Sequence, residues 1–176
     1  MPTALTDTSR IDRVYSRDKF GDEREVHFIG LGVTGGYGCN QAAKTLGLGR
    51  QIIGWDHDVV AVENLCNQIY WPSHAELMIR GNEAAPRALF KAEAMEQITH
   101  CTTGLPITPR VKRFTPGEDD VSGIVFLMLD SMTERDKIWH GALKLNPRVE
   151  LVIDFWTTLG DLRARRRPPD RGKEAL

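Results

Sequence analysis

A three-layer α/β fold, with a mostly parallel sheet and helices on both of its faces, is the class this sequence predicts. Two observations carry that reading. Short apolar runs ending on glycine or acid alternate along the chain with stretches of helical periodicity, the pattern of strands joined by crossover helices. The 176 residues, 41% of them hydrophobic, suffice for one ordinary core.

The elements follow in order. "REVHFIGLG" (24–32) rises into an apolar run and stops at glycine, as a buried strand entering a tight turn does. "GGYGCNQAAKTLGL" (35–48) has helical spacing, with Gly36 and Gly38 weakening its first turns. "RQIIGWD" (50–56) is a second strand, so strand, glycine turn, helix and strand form a βαβ unit. "RALFKAEAMEQITH" (87–100) repeats apolar residues at helical intervals after Pro86, a residue suited to a first turn. "TPRVKRFTP" (108–116) reads as a strand bounded by prolines, and "SGIVFLMLD" (122–130) as a buried strand. "TERDKIWHGALKL" (133–145) is an amphipathic helix, and "VELVIDFW" (149–156) a last strand. In "RARRRPPDRGKEAL" (163–176) charge and proline predict a disordered tail, or a basic arm for nucleic acid or a partner. The expected division is an N-terminal segment 1–22, a nucleotide-binding domain 23–160 and the tail 161–176.

Composition narrows the function classes. A net charge of −1 gives the chain as a whole no electrostatic reason to bind nucleic acid or an anionic membrane. Cys39, Cys66 and Cys101 are widely spaced and include no CxxC pair, which argues against a disulfide framework and a structural zinc site. Cys39 and Cys66 are expected as ordinary small residues on helices, with Cys101 in the loop after one. No basic-flanked apolar leader and no membrane-length apolar window occurs, so a soluble, cytoplasmic protein is expected.

Gly30-Leu31-Gly32-Val33-Thr34-Gly35 is a G-x-G-x-x-G at a strand-to-helix junction. The first glycine permits the turn, the second lets backbone approach a phosphate, and the third lets helix and strand pack closely. The helix N-terminus adds free N–H groups and a partial positive charge. Asp56 closes the next strand, where a carboxylate can accept from both ribose hydroxyls. A structural tight turn and a solvated strand-end acid are the plain alternatives. Strand, glycine loop, helix and acid together predict a Rossmann-like nucleotide site.

The segment from Asp56 to Gln68 then reads Asp-x-Asp-x-Val-x-x-x-Asn-Leu-x-x-Gln. It resembles the ThiF/MoeB family, relatives of ubiquitin-activating enzymes, whose signature runs Asp-x-Asp-x-Val-x-x-Ser-Asn-Leu-x-Arg-Gln. "YSRDKFGD" (15–22), "GLGVTGG" (30–36), "FKAEAMEQI" (90–98) and "LMLDSMTER" (127–135) look like further segments of that family, in order, over roughly residues 13 to 155. The resemblance implies an adenylyltransferase that binds ATP with Mg²⁺. Its substrate would be the C-terminal carboxylate of a ubiquitin-like or sulfur-carrier protein, activated as an acyl-adenylate with release of pyrophosphate.

The resemblance also implies roles for single residues. Lys91 would place positive charge on the phosphates. Asp130 would hold Mg²⁺ or orient the attacking carboxylate, unless it serves with Ser131 and Thr133 as a helix cap. Asp58, Asn64 and Gln68 would surround the nucleotide. Arg17 would reach the phosphates of the neighbouring subunit, making a homodimer part of the site. The sequence departs from the family at three places. Val33 replaces a loop glycine, Asn67 replaces the arginine of the Arg-Gln pair with Arg80 as a conceivable substitute, and the segment after "VELVIDFW" offers no CxxC pair or thioester cysteine. Adenylation without a later thioester step is therefore expected. A non-catalytic nucleotide- or partner-binding relative is the second reading, and an NAD-dependent oxidoreductase the third.

Overall fold

In the computed structural model, which describes residues 25–46, 50–75 and 88–155 and the backbone of 157–158 and 161–162, the apolar run after Glu25 forms strand β1, Val26–Ile29. All four of its residues are buried. Its parallel neighbours are β2 (Ile52–Trp55) and β4 (Gly123–Leu127), so that Ile29 lies in register with Trp55 on one side and Leu127 on the other. β3 (Thr108–Arg110) flanks β2, and β5 (Val149–Asp154) flanks β4. The order β3-β2-β1-β4-β5 is parallel throughout, and its central strands β1 and β2 are fully buried, as near-continuous apolar runs in a parallel sheet are. A two-residue antiparallel pair, β6 (Thr157–Thr158) with β7 (Asp161–Leu162), stands apart from it.

Because side chains alternate along a strand, each strand serves two cores. Val26, Phe28 and Ile52 face helices α1 (Val33–Leu46) and α2 (Lys91–Thr103), where Cys39, Met95 and Ile98 complete the layer. Ile29, Ile53, Val125 and Leu127 face α3 (Met132–Ile138) and the π-helical turn Trp139–Leu143 that continues it, through Ile138 and Leu143. The fold is thus a three-layer, Rossmann-like α/β sandwich. A hydrogen bond from the Thr102 hydroxyl to Asn40 Oδ1 (2.8 Å) ties α2 to α1.

Four boundaries differ from the sequence reading. α1 begins at Val33, before the expected Gly35, so the third motif glycine lies inside the helix. α2 begins at Lys91 because 88–90 are held extended: Val60 N–H donates to Leu89 O, and Leu89 N–H to His74 O. The helix also runs on to Thr103, which puts Cys101 in its last turn and not in the following loop. β3 ends at Arg110 and not near Pro116, because Lys112 N–H turns back to Arg110 O and Thr115 N–H bonds the Asp119 carboxylate. Pro86 and the 163–176 tail lie outside the described residues. No helix among those described is long and apolar enough to cross a membrane.

A polar network centred on the buried His27 lies in the α3 layer. The His27 ring accepts from the Trp55 indole N–H at Nδ1 (3.2 Å) and lies 3.2 Å from the Glu25 carboxylate at Nε2. Ser122 Oγ donates to the same carboxylate at 2.6 Å and, with His27 beside it, holds Glu25 below its ordinary pKa. Burial dominates at His27 and pulls its pKa below the ordinary 6.5, against the opposing pull of Glu25. His74, also buried, shifts the same way. The unfolded chain therefore binds these protons more readily than the folded one, and stability falls as pH drops through and below 6.5. The urea midpoint is expected to be lower at about pH 5.5 than at about pH 7.5, with a smaller difference in His27→Gln. An equal or higher midpoint at the acidic pH would contradict this assignment.

Candidate nucleotide-binding site

The strand order reverses between β1 and β4, and a cleft of about 820 Å³ opens at the carboxyl ends of the strands there. In open parallel sheets this crevice is the usual ligand position. The glycine loop forms one wall. Gly30 sits at φ +93°, and an added Cβ would meet Met128 O at 2.9 Å. At Gly35 it would lie 2.0 Å from Gly30 O, so helix and turn touch backbone to backbone. At Gly32 it would meet nothing within 4 Å among the described residues, and Gly32 lines the cleft. The three glycines thus differ: two are required by the protein's own packing, and the middle one opens onto space. Beyond it, the first turn of α1 leaves amide groups without intrahelical acceptors.

Asp56 is 8% exposed and ties this loop to β2. Its Oδ2 accepts from Leu31 N–H (2.7 Å) and its Oδ1 from Asp58 N–H (2.9 Å), with a second lone pair left on each oxygen. Asp58 carries the chain of contacts onward. Its carbonyl accepts from Lys91 N–H (2.7 Å) and its carboxylate pairs with Lys91 Nζ (3.1 Å), so it anchors the start of α2 twice. Lys91 is buried, unlike a solvated helix lysine, and it lines the cleft. The Tyr70 hydroxyl donates to Leu31 O beneath the loop, and burial raises its pKa well above the ordinary value.

The two amides part ways. Asn64 Oδ1 accepts from Ala61 N–H (2.9 Å), which closes a 3-10 turn at Val62–Cys66, and the residue does not line the cleft. Gln68 does line it, and its buried Oε1 has no hydrogen-bond partner among the described residues. Asn67 is exposed at the end of the same turn, away from the cleft wall. Val33 stands exposed at the loop rim and lines the opening.

Asp130 lies opposite, just past β4, exposed and lining the cleft. Ser131 caps α3, its hydroxyl accepting from Glu134 N–H (3.3 Å), so Asp130 is not used as the cap. No hydrogen bond engages the Asp130 carboxylate among the described residues. Behind it Arg135 is buried, donating to Leu129 O, Phe155 O and Asp154 and binding the ends of β4 and β5 together. Desolvation pulls the Arg135 pKa down, against the pull of Asp154.

Gly30, Gly32, Asp56, Asp58, Gln68, Lys91 and Asp130 therefore share one cleft, Gly35 supports it from below, and Asn64 stands outside. Arg17 and Arg80 lie outside the described residues. Sequence reasoning missed Arg135 with Asp154, and Lys112 with Arg113 on the far wall. Arg135 stands one turn before the buried Ile138, and Arg113 follows a strand whose end shares the edge with Asp56; both positions were the available signals.

The Asp56, His57 and Asp58 ligand atoms lie within 4.8 Å of one another. They suit a cation poorly, since both Asp56 oxygens accept backbone N–H and Lys91 already pairs with Asp58. Asp130, exposed and facing the cleft, suits a Mg²⁺ that keeps waters and shares phosphate oxygens. Cys39 is buried, and burial pushes its thiol up to about 12, which leaves it inert as a nucleophile. No protein-family model matches the chain, and no curated protein matches it.

Proposed function

We propose that this protein binds ATP with Mg²⁺ in the cleft and activates the C-terminal carboxylate of a ubiquitin-like or sulfur-carrier protein by adenylation, releasing pyrophosphate. The observation that carries the reading is the convergence, around one crevice, of a glycine loop open at Gly32, a strand-end acid, a buried lysine and an exposed Asp130. A volume of about 820 Å³ accommodates a nucleotide.

The chain's own residues divide the work. The loop and the first turn of α1 receive phosphate through backbone N–H groups. Asp56, fixed from two sides, retains lone pairs for ribose hydroxyls. Lys91 has only a half-exposed carboxylate partner, so an incoming phosphate competes with Asp58 for its ammonium. Gln68 offers the nucleotide an acceptor that nothing described satisfies. Asp130 would hold Mg²⁺, which when bound offsets negative charge on the phosphates. Arg17 would come from a second copy, making the working form a homodimer.

A nucleotide-binding module without catalysis is favoured by one observation, an exposed Asn67 that does not line the cleft where the resembled family has arginine. Exchange of labelled pyrophosphate into ATP, in the presence of carrier proteins with free C-terminal tails, separates the two. Carrier-dependent exchange is the expected result; ATP binding with no exchange for any carrier would leave the module reading standing.

A further inference from the structure

We infer that Arg113 is the residue that recruits the anionic end of the ligand into this cleft. The inference rests on the nucleotide-binding reading above and deepens it, because it names a phosphate contact outside the glycine loop and α2. Among the described residues, Lys91, Lys112, Arg113 and Arg135 are the lysines and arginines that line the cleft. Their charges are not equally available. Lys91 pairs with Asp58 at 3.1 Å, Lys112 with Asp119 in close contact, and Arg135 with Asp154 and two carbonyl oxygens.

Arg113 is different. Its side chain is 62% exposed, and the carboxylate paired with it, that of Glu134, is 3.9 Å away. Its closer partner is the imidazole of His57, which accepts through Nε2 at 3.1 Å and brings no negative charge in that role, and the Asp58 carboxylate 3.5 Å from that same nitrogen is already paired with Lys91. The guanidinium thus stands over the cleft between the end of β2 and the first turn of α3, held in position yet weakly neutralised. Arginine presents several N–H donors in a planar fork, which fits phosphate oxygens better than a point charge does. The register explains how it arrives there. Arg110 pairs with Trp55, so the chain leaving β3 emerges at the same edge as Asp56 and His57.

An anion entering the cleft displaces the long contact to Glu134 and gains the fork of N–H groups. This gives the cleft an arginine without a close carboxylate partner, although position 67 holds asparagine and Asn67 does not line the cleft. The uncharged part of the ligand gains nothing from Arg113. Lys112, next in sequence, supplies no comparable charge because Asp119 already occupies its ammonium.

Calorimetric titration of the full chain with ATP–Mg²⁺ and with adenosine, on wild type, Arg113→Gln, Arg113→Lys and, as a control for lost surface charge away from the cleft, Lys144→Gln, tests this. Arg113→Gln is expected to raise the Kd for ATP about tenfold or more, leaving that for adenosine within about twofold. Arg113→Lys is expected to recover part of the loss, and Lys144→Gln to stay within about twofold of wild type for both ligands. An Arg113→Gln protein that binds ATP as wild type does, or that loses ATP and adenosine alike, would overturn the assignment while leaving nucleotide binding in place. A wild type that binds neither ligand would overturn the nucleotide reading itself, and the role of Arg113 with it.

Discussion

Gly35→Ala is expected to destabilise the protein by about 3 kcal/mol or more, while Gly32→Ala leaves stability within about 0.5 kcal/mol of wild type. The two substitutions add the same methyl group three residues apart in one motif, and what differs is the space that receives it. At Gly35 the methyl carbon would stand 2.0 Å from Gly30 O and 3.1 Å from Met128 Cβ. The nearer obstacle is backbone, and the turn at Gly30 cannot yield easily, since its φ of +93° is already a conformation only glycine adopts without strain. Helix α1 would have to lift from β1, opening the layer that contains Phe28 and Cys39. At Gly32 nothing among the described residues lies within 4 Å, and the added methyl group meets the open cleft that Gly32 lines. Its cost should appear as weaker nucleotide binding. Urea unfolding of the two variants measures both expectations, and equal destabilisation would mean that the glycines are not divided between packing and ligand as described.

Asp56→Ala is expected to lose about 3 kcal/mol of stability as well as nucleotide binding, because this acid has a structural role before it has a ligand. The substitution leaves Leu31 N–H and Asp58 N–H without their acceptors, at 2.7 and 2.9 Å in the folded protein. Leu31 is fully buried, so water reaches its amide poorly. Asp56→Asn keeps one acceptor oxygen and is expected to lose roughly half as much. The asparagine variant is therefore the cleaner probe of ligand binding, read at a temperature where it remains folded. Denaturant unfolding in the absence of nucleotide tests the structural part. An Asp56→Ala protein as stable as wild type would show that the loop does not depend on this carboxylate.

Much of the fold was legible because its signals are local. Runs such as "VHFI" and "GIVFL", bounded by glycine or acid, have one sensible conformation when both faces are covered, and the helix after the glycine loop declares itself by spacing. Boundaries failed where distant contacts decide them. Nothing in "RALFK" says that Leu89 will be held extended between Val60 and His74, or that the helix must wait for Lys91. The site shows the same division. Asp56, Asp58, Gln68 and Lys91 stand in recognisable patterns, and they do gather around one cleft. Asn64 stands in the pattern too, yet its side chain closes a local turn, and a sequence spacing cannot distinguish an amide aimed at a ligand from one aimed at its own backbone. Arg113 and Arg135 carried only a positional signal, for another reason. Each matters through a partner far along the chain, His57 for one and Asp154 for the other.

The most direct measurement is unfolding stability with no ligand, with ATP–Mg²⁺ and with NAD, on wild type and Asp56→Asn. At a hundred times its dissociation constant, ATP–Mg²⁺ should stabilise the wild type by about 2.7 kcal/mol, NAD by less, and Asp56→Asn should lose most of the ATP shift. No stabilisation by ATP–Mg²⁺, or a larger one by NAD, would contradict an ATP site in this cleft.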